Sequence, residues 1–176
     1  MINVEVLVFD DFIDIVDVFF IKKSVEIVSS KLDLDEDVWI EIVVVDQNTS
    51  KHLNKKFRDI DSSTDVLSFS VDSSYGNKDT KDMFTGIEKY QNFMGEVVIS
   101  YKDVKEQATS KGYSMKFEMA HVVMHGILHL LGYNHDNSCG SLEFIKLEES
   151  IMSEVVGLFG LKKADQLKMH LDGGKN

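Results

Sequence analysis

Hydrophobic and polar positions along this chain change their spacing several times, and each change predicts a new element. Residues 2–9 alternate between apolar and polar side chains, which is typical of a half-buried strand. Residues 12–31 carry apolar side chains at helical spacing, and the β-branched run 38–45 indicates a buried strand. The remaining predicted elements are a short helix at 48–57, strands at 65–69 and 95–99, a central helix at 114–131 and a last helix beyond it.

Helices and strands alternate, so we predict an α/β (α+β) fold in which a small mixed sheet packs against helices. A length of 176 residues suits a single domain, which we place at residues 1–160. The polar stretch 71–93 predicts a loop, and the charged stretch 161–176 predicts a frayed tail. The predicted apolar faces comprise Phe12, Ile15, Val16, Phe19, Phe20 and Val25 in the first helix, and Leu147, Ile151, Val155 and Leu158 in the last.

Three histidines at the end of the central helix have the spacing of metal ligands. His125 and His129 lie about one turn apart, so both imidazole rings can reach one ion. A continuous helix would carry His135 roughly 15 Å along the axis from His125, so the chain must turn back for His135 to join them. Gly132 is placed to end the helix and to make that turn.

Three neutral imidazoles that leave one position open are typical of a catalytic zinc site. We therefore predict one zinc ion per chain, held by His125, His129 and His135 on the buried central helix and the turn after it. A closed, cysteine-rich site is excluded because Cys139 is the only thiol. Two alternatives stay open: His121, one turn earlier, is a rival ligand, and the histidines can be ordinary residues of a buried helix. Glu118 lies too far along the helix to serve His125 and is expected to pair with His121.

The histidine and glycine positions also match the HExxHxxGxxH pattern of metzincin proteases. Those enzymes use the glutamate after the first histidine as general base, and this chain has Gly126 there. A peptidase would have to find its base elsewhere, so a metzincin-like metalloprotease is an alternative to a different hydrolase.

The same stretch, HGILHLLGYNH at residues 125–135, resembles the HGxLHLxGYDH signature of the YbeY family, bacterial single-strand-specific endoribonucleases linked to rRNA maturation. Two further blocks are similar to family elements in the same order: LNKKFR with STDVLSF at 53–69, and GEVVIS at 95–100. Asn134 departs from the usual aspartate, and Ser63 from a proline. The resemblance implies an α/β hydrolase domain, RNA as the substrate, and a role in small-subunit ribosomal RNA processing and ribosome quality control. The general base stays open between Asp65 and a water activated by the metal.

Arg58 is the only arginine beside eighteen lysines, and the resemblance ties the matching arginine to activity. A guanidinium can hold a phosphate in two places, so we predict that Arg58 binds the scissile phosphate. An ion pair with Asp59 or Asp61 is the structural alternative. Residues 51–58 carry four positive charges and no acid, although the net charge of the chain is −11. This local strip can guide single-stranded RNA on a protein whose overall field repels it.

Composition limits the cellular compartment and the partners that we expect for this protein. No apolar run is long enough for a membrane span, and no signal-peptide pattern or nucleotide-binding fingerprint is present, so we expect no membrane or nucleotide-cofactor partner. A single cysteine suits a reducing cytoplasm. Twelve acids against three lysines in residues 1–50 suit docking to a basic protein. The resemblance implies ribosomal or RNA-processing proteins as partners, and a non-catalytic, zinc-stabilised, ribosome-associated binding protein is the second alternative function.

Overall fold

The computed structural model describes residues 2–34, 37–71, 92–133 and 138–161, without the side chains of 138–141 and 143. Most of the predicted loop at 71–93 and nearly all of the predicted tail at 161–176 lie outside these residues, as does His135. The elements along the described chain are β1 (Asn3–Val8), α1 (Val18–Lys31), β2 (Trp39–Val45), α2 (Gln47–Arg58), β3 (Val66–Ser70), β4 (Phe93–Ser100), α3 (Tyr101–Lys111), α4 (Met115–Leu130) and α5 (Ser138–Phe159).

The four described strands form one mixed sheet in the order β1-β2-β4-β3. β1, β2 and β4 run parallel, and β3 pairs antiparallel with β4 at the edge. The predicted α+β fold with a small mixed sheet against helices is confirmed. Across the described residues, no helix is both long and apolar enough to span a bilayer.

The two faces of the sheet have different covers. One face supplies apolar side chains to the main core, where α1, α4 and α5 pack. The other face forms a smaller cluster of Val45, Leu67 and Val98, with Leu53 of α2 packed against it. Successive side chains of a strand point to opposite faces, so β3 contributes to both clusters. This places α2 and α4 on opposite sides of the sheet.

The predicted start of the first helix is wrong. A 3-10 turn at Asp10–Phe12 comes first, and α1 begins at Val18, where the Asp17 side chain accepts a hydrogen bond from the Phe20 N–H. Ile15 is 57% exposed and Phe19 66% exposed, so both are wrong members of the predicted apolar face. The sequence signal for the correct start was Asp17 itself, since an aspartate at the N-cap satisfies the first helical amides.

The last helix also departs from its predicted face. Ile151 and Val155 are buried, whereas Leu158, one residue before the end of the helix, is 62% exposed. A second difference is helix α3, which the pattern of apolar residues does not predict. It buries only Val104 and Ala108 along one side, so its apolar pattern is too sparse to stand out.

Candidate metal centre

Helix α4 forms the wall of the candidate site. Ser114 caps its first turn by accepting a hydrogen bond from the Phe117 N–H, and apolar side chains surround most of its circumference. The polar stripe predicted from the sequence is present. Glu118 is fully buried, whereas His121, His125 and His129 are half-buried on the side that faces α5.

His125 and His129 are brought together as expected for two ligands of one ion. Their Nε2 atoms lie 3.0 Å apart, and their rings meet nearly edge to face with centroids 4.5 Å apart. Two nitrogens bound to one tetrahedral zinc at about 2.0–2.1 Å would be separated by roughly 3.3 Å. A small rotation of either ring gives that spacing, so this pair fits a zinc ion.

The chain turns after the helix as Gly132 predicted. Gly132 has φ +83°, its N–H donates to the His129 carbonyl, and the Tyr133 N–H donates to the Leu128 carbonyl. These two bonds form a Schellman motif, which ends a helix and reverses the chain. His135 follows two residues beyond Tyr133, outside the described residues, so its place as third ligand stays a prediction.

Glu148 on α5 is a member of the site that the sequence reasoning missed. Its Oε1 lies 2.9 Å from Nδ1 of His125 and 3.8 Å from Nε2 of His121. His121, His125 and Glu148 offer ligand atoms within 4.8 Å of one another, so this cluster could hold a metal ion. Sequence spacing could not reveal Glu148, because it comes from a helix that follows the turn.

The rival ligand His121 lies beside Glu118, as the sequence predicts, and beside Glu148 as well. Its Nδ1 is 3.9 Å from Oε1 of Glu118, but the close partner of Glu118 is Lys111, at 2.5 Å. The second Glu118 oxygen is buried without a hydrogen-bond partner among the described residues. Burial lowers the pKa of His121, and the carboxylates of Glu148 and Glu118 oppose that shift.

Gly126 is required by packing. A Cβ atom there would lie 2.5 Å from Cγ1 of Val97 and 3.1 Å from Cγ2 of Val66, because α4 presses against the sheet at this point. The Gly126 carbonyl also accepts a hydrogen bond from the Ser68 hydroxyl at 2.8 Å. A glutamate at this position has no room, so the general base of a metzincin cannot be placed here.

Arg58 lies at the exposed end of α2. Neither Asp59 nor Asp61 forms an ion pair with it; Asp61 instead pairs with Lys51 at 3.4 Å and with Lys55 at 3.2 Å. The structural alternative for Arg58 is therefore removed within the described chain. Binding of the scissile phosphate by Arg58 remains a prediction.

The edge strand β3 contacts both α2, which ends at Arg58, and α4, which carries the histidines. The ring of Phe57, the residue before Arg58, contacts Phe69 of β3 with centroids 5.0 Å apart. Ser68, the preceding residue of β3, points to α4 on the other face. Asp65, at the start of this strand, accepts hydrogen bonds from Thr64 Oγ1 and the Val66 N–H, which shape the entry to β3.

The region of this chain that matches known proteins includes the helices and strands of this site. The family model described as "Endoribonuclease YbeY" matches residues 17–156. Proteins of that name from Dehalococcoides mccartyi and Caldicellulosiruptor saccharolyticus are 35% and 36% identical, over 76% and 70% of this chain and 84% and 77% of their own. The solution structure of a Thermotoga maritima protein aligns with a TM-score of 0.56 and 26% identity, over 90% of this chain and 91% of that one.

Proposed function

The chain belongs to the YbeY family, and from that premise we propose that it is a zinc-dependent endoribonuclease that cleaves single-stranded RNA. The observation that carries the proposal is the pair of Nε2 atoms of His125 and His129, which face each other at 3.0 Å. Relatives named endoribonucleases support RNA as the substrate.

We assign the zinc ion, one per chain, to His125, His129 and His135. The Schellman turn at Gly132 supports the third ligand, since it reverses the chain two residues after the helix ends. When bound, zinc supplies Lewis-acid chemistry for phosphodiester hydrolysis. His125, His129 and His135 would hold the ion, and Arg58 would place the scissile phosphate.

Arg58 is proposed to bind the scissile phosphate and to stabilise the charge that develops on it. Its neighbour Phe57 is 45% exposed, and Nζ of Lys56 lies 5.0 Å from the centre of that ring. An exposed aromatic ring among cations suits single-stranded RNA, because an unpaired base can stack on the ring while the cations follow the backbone.

The finer assignments follow from the family. We propose ribosomal RNA as the natural substrate, with processing of small-subunit rRNA in the cytoplasm as the setting. The acidic residues 1–50 suit docking to a basic ribosomal or RNA-processing protein. The alternative of a zinc-stabilised binding protein without activity is separated from this proposal by the assay below.

The test is cleavage of an end-labelled single-stranded RNA by wild type, Arg58→Ala and Lys102→Ala. Lys102 lies on α3 beside Glu106 and is the control, because its removal also subtracts one exposed positive charge. We expect Arg58→Ala to keep its zinc and to lose about 10²-fold or more in turnover, in the range typical for one stabilising donor. Lys102→Ala should cleave like wild type. Equal cleavage by all three would remove Arg58 from the mechanism, and zinc-loaded wild type that binds RNA without cutting it would favour the binding protein.

A further inference from the structure

We propose that Glu148 is the positioning residue of the metal centre. Its carboxylate accepts a hydrogen bond from the Nδ1–H of His125 and so selects the tautomer whose Nε2 lone pair points toward His129. This inference rests on the proposed zinc site, and it assigns to α5 a task in metal binding.

The distances support this direction of the hydrogen bond. Nδ1 of His125 is 2.9 Å from Oε1 of Glu148, while Nε2 of the same ring is 3.0 Å from Nε2 of His129. An ionised carboxylate can only accept, so His125 must donate through Nδ1. A neutral imidazole has one N–H, and Nε2 then carries the lone pair that a metal requires.

Partial burial strengthens the contact between Glu148 and His125. The side chain of Glu148 is 19% exposed and that of His125 is 28% exposed, so water screens the pair only in part. A carboxylate behind a histidine ligand fixes the ring and raises the basicity of the coordinating nitrogen. The ion would therefore be held more tightly than by three histidines whose rings are free to turn.

The same helix packs against the two rings. Phe144, one turn before Glu148 on α5, is fully buried. Its ring centre lies 5.2 Å from that of His125 and 5.4 Å from that of His129. Phe144 and Glu148 are four residues apart, so they share one face of the helix. One turn of α5 thus supplies both the packing and the polar contact that orient His125.

A competing arrangement makes Glu148 a ligand. His121, His125 and Glu148 offer ligand atoms within 4.8 Å of one another. In that arrangement the ion would sit where the Nδ1–H of His125 now points. The two arrangements are exclusive, because Nδ1 of His125 cannot donate a proton to Glu148 and coordinate a metal together. They also differ in which second histidine is essential, His129 or His121.

The experiment is a Zn²⁺ titration against a chromophoric chelator, together with the visible absorption spectrum of the Co²⁺-loaded protein. The variants are Glu148→Ala, Glu148→Gln and His121→Ala. The matched control is Glu149→Gln, because Glu149 is the exposed next residue of α5. Circular dichroism establishes that each variant is folded. Glu148→Gln keeps the shape and a hydrogen-bond acceptor, so it remains informative if Glu148→Ala does not fold.

We expect Glu148→Ala to weaken Zn²⁺ binding by about 10- to 100-fold, as is typical when the partner of a histidine ligand is lost. Glu148→Gln should recover part of this loss, because its amide oxygen still accepts from Nδ1. His121→Ala and Glu149→Gln should bind like wild type, and all variants should keep the Co²⁺ spectrum of the same ligand set.

Wild-type affinity in both Glu148 variants would overturn the proposal. Complete loss of Zn²⁺ in Glu148→Ala and His121→Ala, with a changed Co²⁺ spectrum in Glu148→Gln, would overturn it in favour of Glu148 as a ligand. Failure of the proposed function looks different: the affinity order would hold while wild type leaves RNA intact. The metal titration therefore judges the role of Glu148 separately from the RNA activity.

Discussion

Single residues of this site take their chemistry from neighbours that are distant in sequence. His125 is oriented by Glu148, 23 positions later, and Gly126 is enclosed by Val66 and Val97 from two strands. The consequence is that the effect of a substitution depends on what the other elements place around it. Substitutions at Gly126 and Glu96 test this dependence through the stability of the fold, independently of activity.

Gly126→Ala should destabilise the fold. The added Cβ would lie 2.5 Å from Cγ1 of Val97, and overpacking of a close-packed core typically costs about 1–3 kcal/mol. The control is Gly157→Ala on α5, where a Cβ would meet nothing within 4 Å. That variant should gain roughly 0.5–1 kcal/mol from helix propensity. Urea unfolding measures both, and equal stability of the two variants would refute the close packing at Gly126.

Glu96→Gln should stabilise the protein at neutral pH. Burial raises the pKa of the Glu96 carboxyl, and Glu41, its register partner on β2, raises it further. The ionised form is therefore disfavoured in the folded state. Like charges opposite each other on a sheet cost about 0.2–1 kcal/mol, which is the gain we expect at pH 7.

The raised pKa of Glu96 determines how the stabilisation by Glu96→Gln should depend on pH. A raised folded-state pKa favours folding at low pH and costs stability as the pH rises through it. The advantage of Glu96→Gln over wild type should thus disappear below the ordinary glutamate pKa of 4.5, where the carboxyl is protonated in both states. Thermal unfolding from pH 3 to 8 measures this. Exposed Glu149→Gln is the control, and an advantage that stays constant with pH would contradict the account.

Local chemistry made some of these residues predictable and left others hidden. His125, His129 and Gly132 follow from helical spacing and from the conformational freedom of glycine. Glu148 contacts His125 only after the chain has turned back and α5 has docked, and no spacing rule encodes that approach. The reason for Gly126 was hidden in the same way, since it depends on the strands behind the helix.

At the scale of elements, helix ends follow side-chain caps. Asp46 begins α2, the helix that ends at Arg58, and its carboxylate accepts hydrogen bonds from the Asn48 and Thr49 amides. Asp59 closes the same helix in the left-handed conformation, with φ 59°. The position of Arg58 therefore depends on caps at both ends of α2.

Asp46→Ala should destabilise the protein by about 1 kcal/mol at pH 7, the usual cost of losing an N-cap. The backbone hydrogen bond from Thr49 lowers the pKa of Asp46, with smaller help from the Thr49 hydroxyl and the Asn48 amide. A lowered folded-state pKa gives stability that is present above the ordinary aspartate range and lost as the pH falls through the folded value.

The loss caused by Asp46→Ala should accordingly shrink in acid. Denaturant unfolding at pH 7 and pH 3 measures this, with exposed Asp14→Ala as the control that should cost little at either pH. A cost that does not change with pH, or an equal cost for Asp14→Ala, would contradict the capping role.

Patterns of apolar residues predicted elements well where one face is buried and badly where it is not. β2 and α4 carry dense apolar patterns, and both were found close to their predicted bounds. The apolar run before Val18 is exposed in part, so periodicity extended α1 too far toward the start of the chain. Sparse burial on α3 had the opposite effect and concealed a helix.

For the whole molecule, the charge balance sets how RNA can be bound. The net charge is −11, and two of the four cations at residues 51–58 are paired with Asp61. Binding should therefore be weak, local and sensitive to salt. Within the described chain, Asp61 is the acid that most directly reduces the positive charge of α2.

Asp61→Asn should strengthen binding of single-stranded RNA by about two- to fivefold at low salt, since it releases Lys51 and Lys55 and removes one negative charge. The gain should fall toward none at about 1 M salt, where the Debye length is roughly 3 Å. Fluorescence anisotropy measures the affinity, and Asp14→Asn is the charge-matched control. Equal gains for both variants would show that the net charge, and not the cations of α2, governs binding.

The most direct test of the account is zinc content and RNA cleavage, measured together on wild type, His129→Ala and His52→Ala. His52 is an exposed histidine of α2 and controls for the substitution itself. We predict about one equivalent of zinc and cleavage of single-stranded RNA for wild type and His52→Ala, and loss of both in a folded His129→Ala. Wild type without zinc, or His129→Ala that still cleaves RNA, would contradict the central claim of a zinc-dependent endoribonuclease.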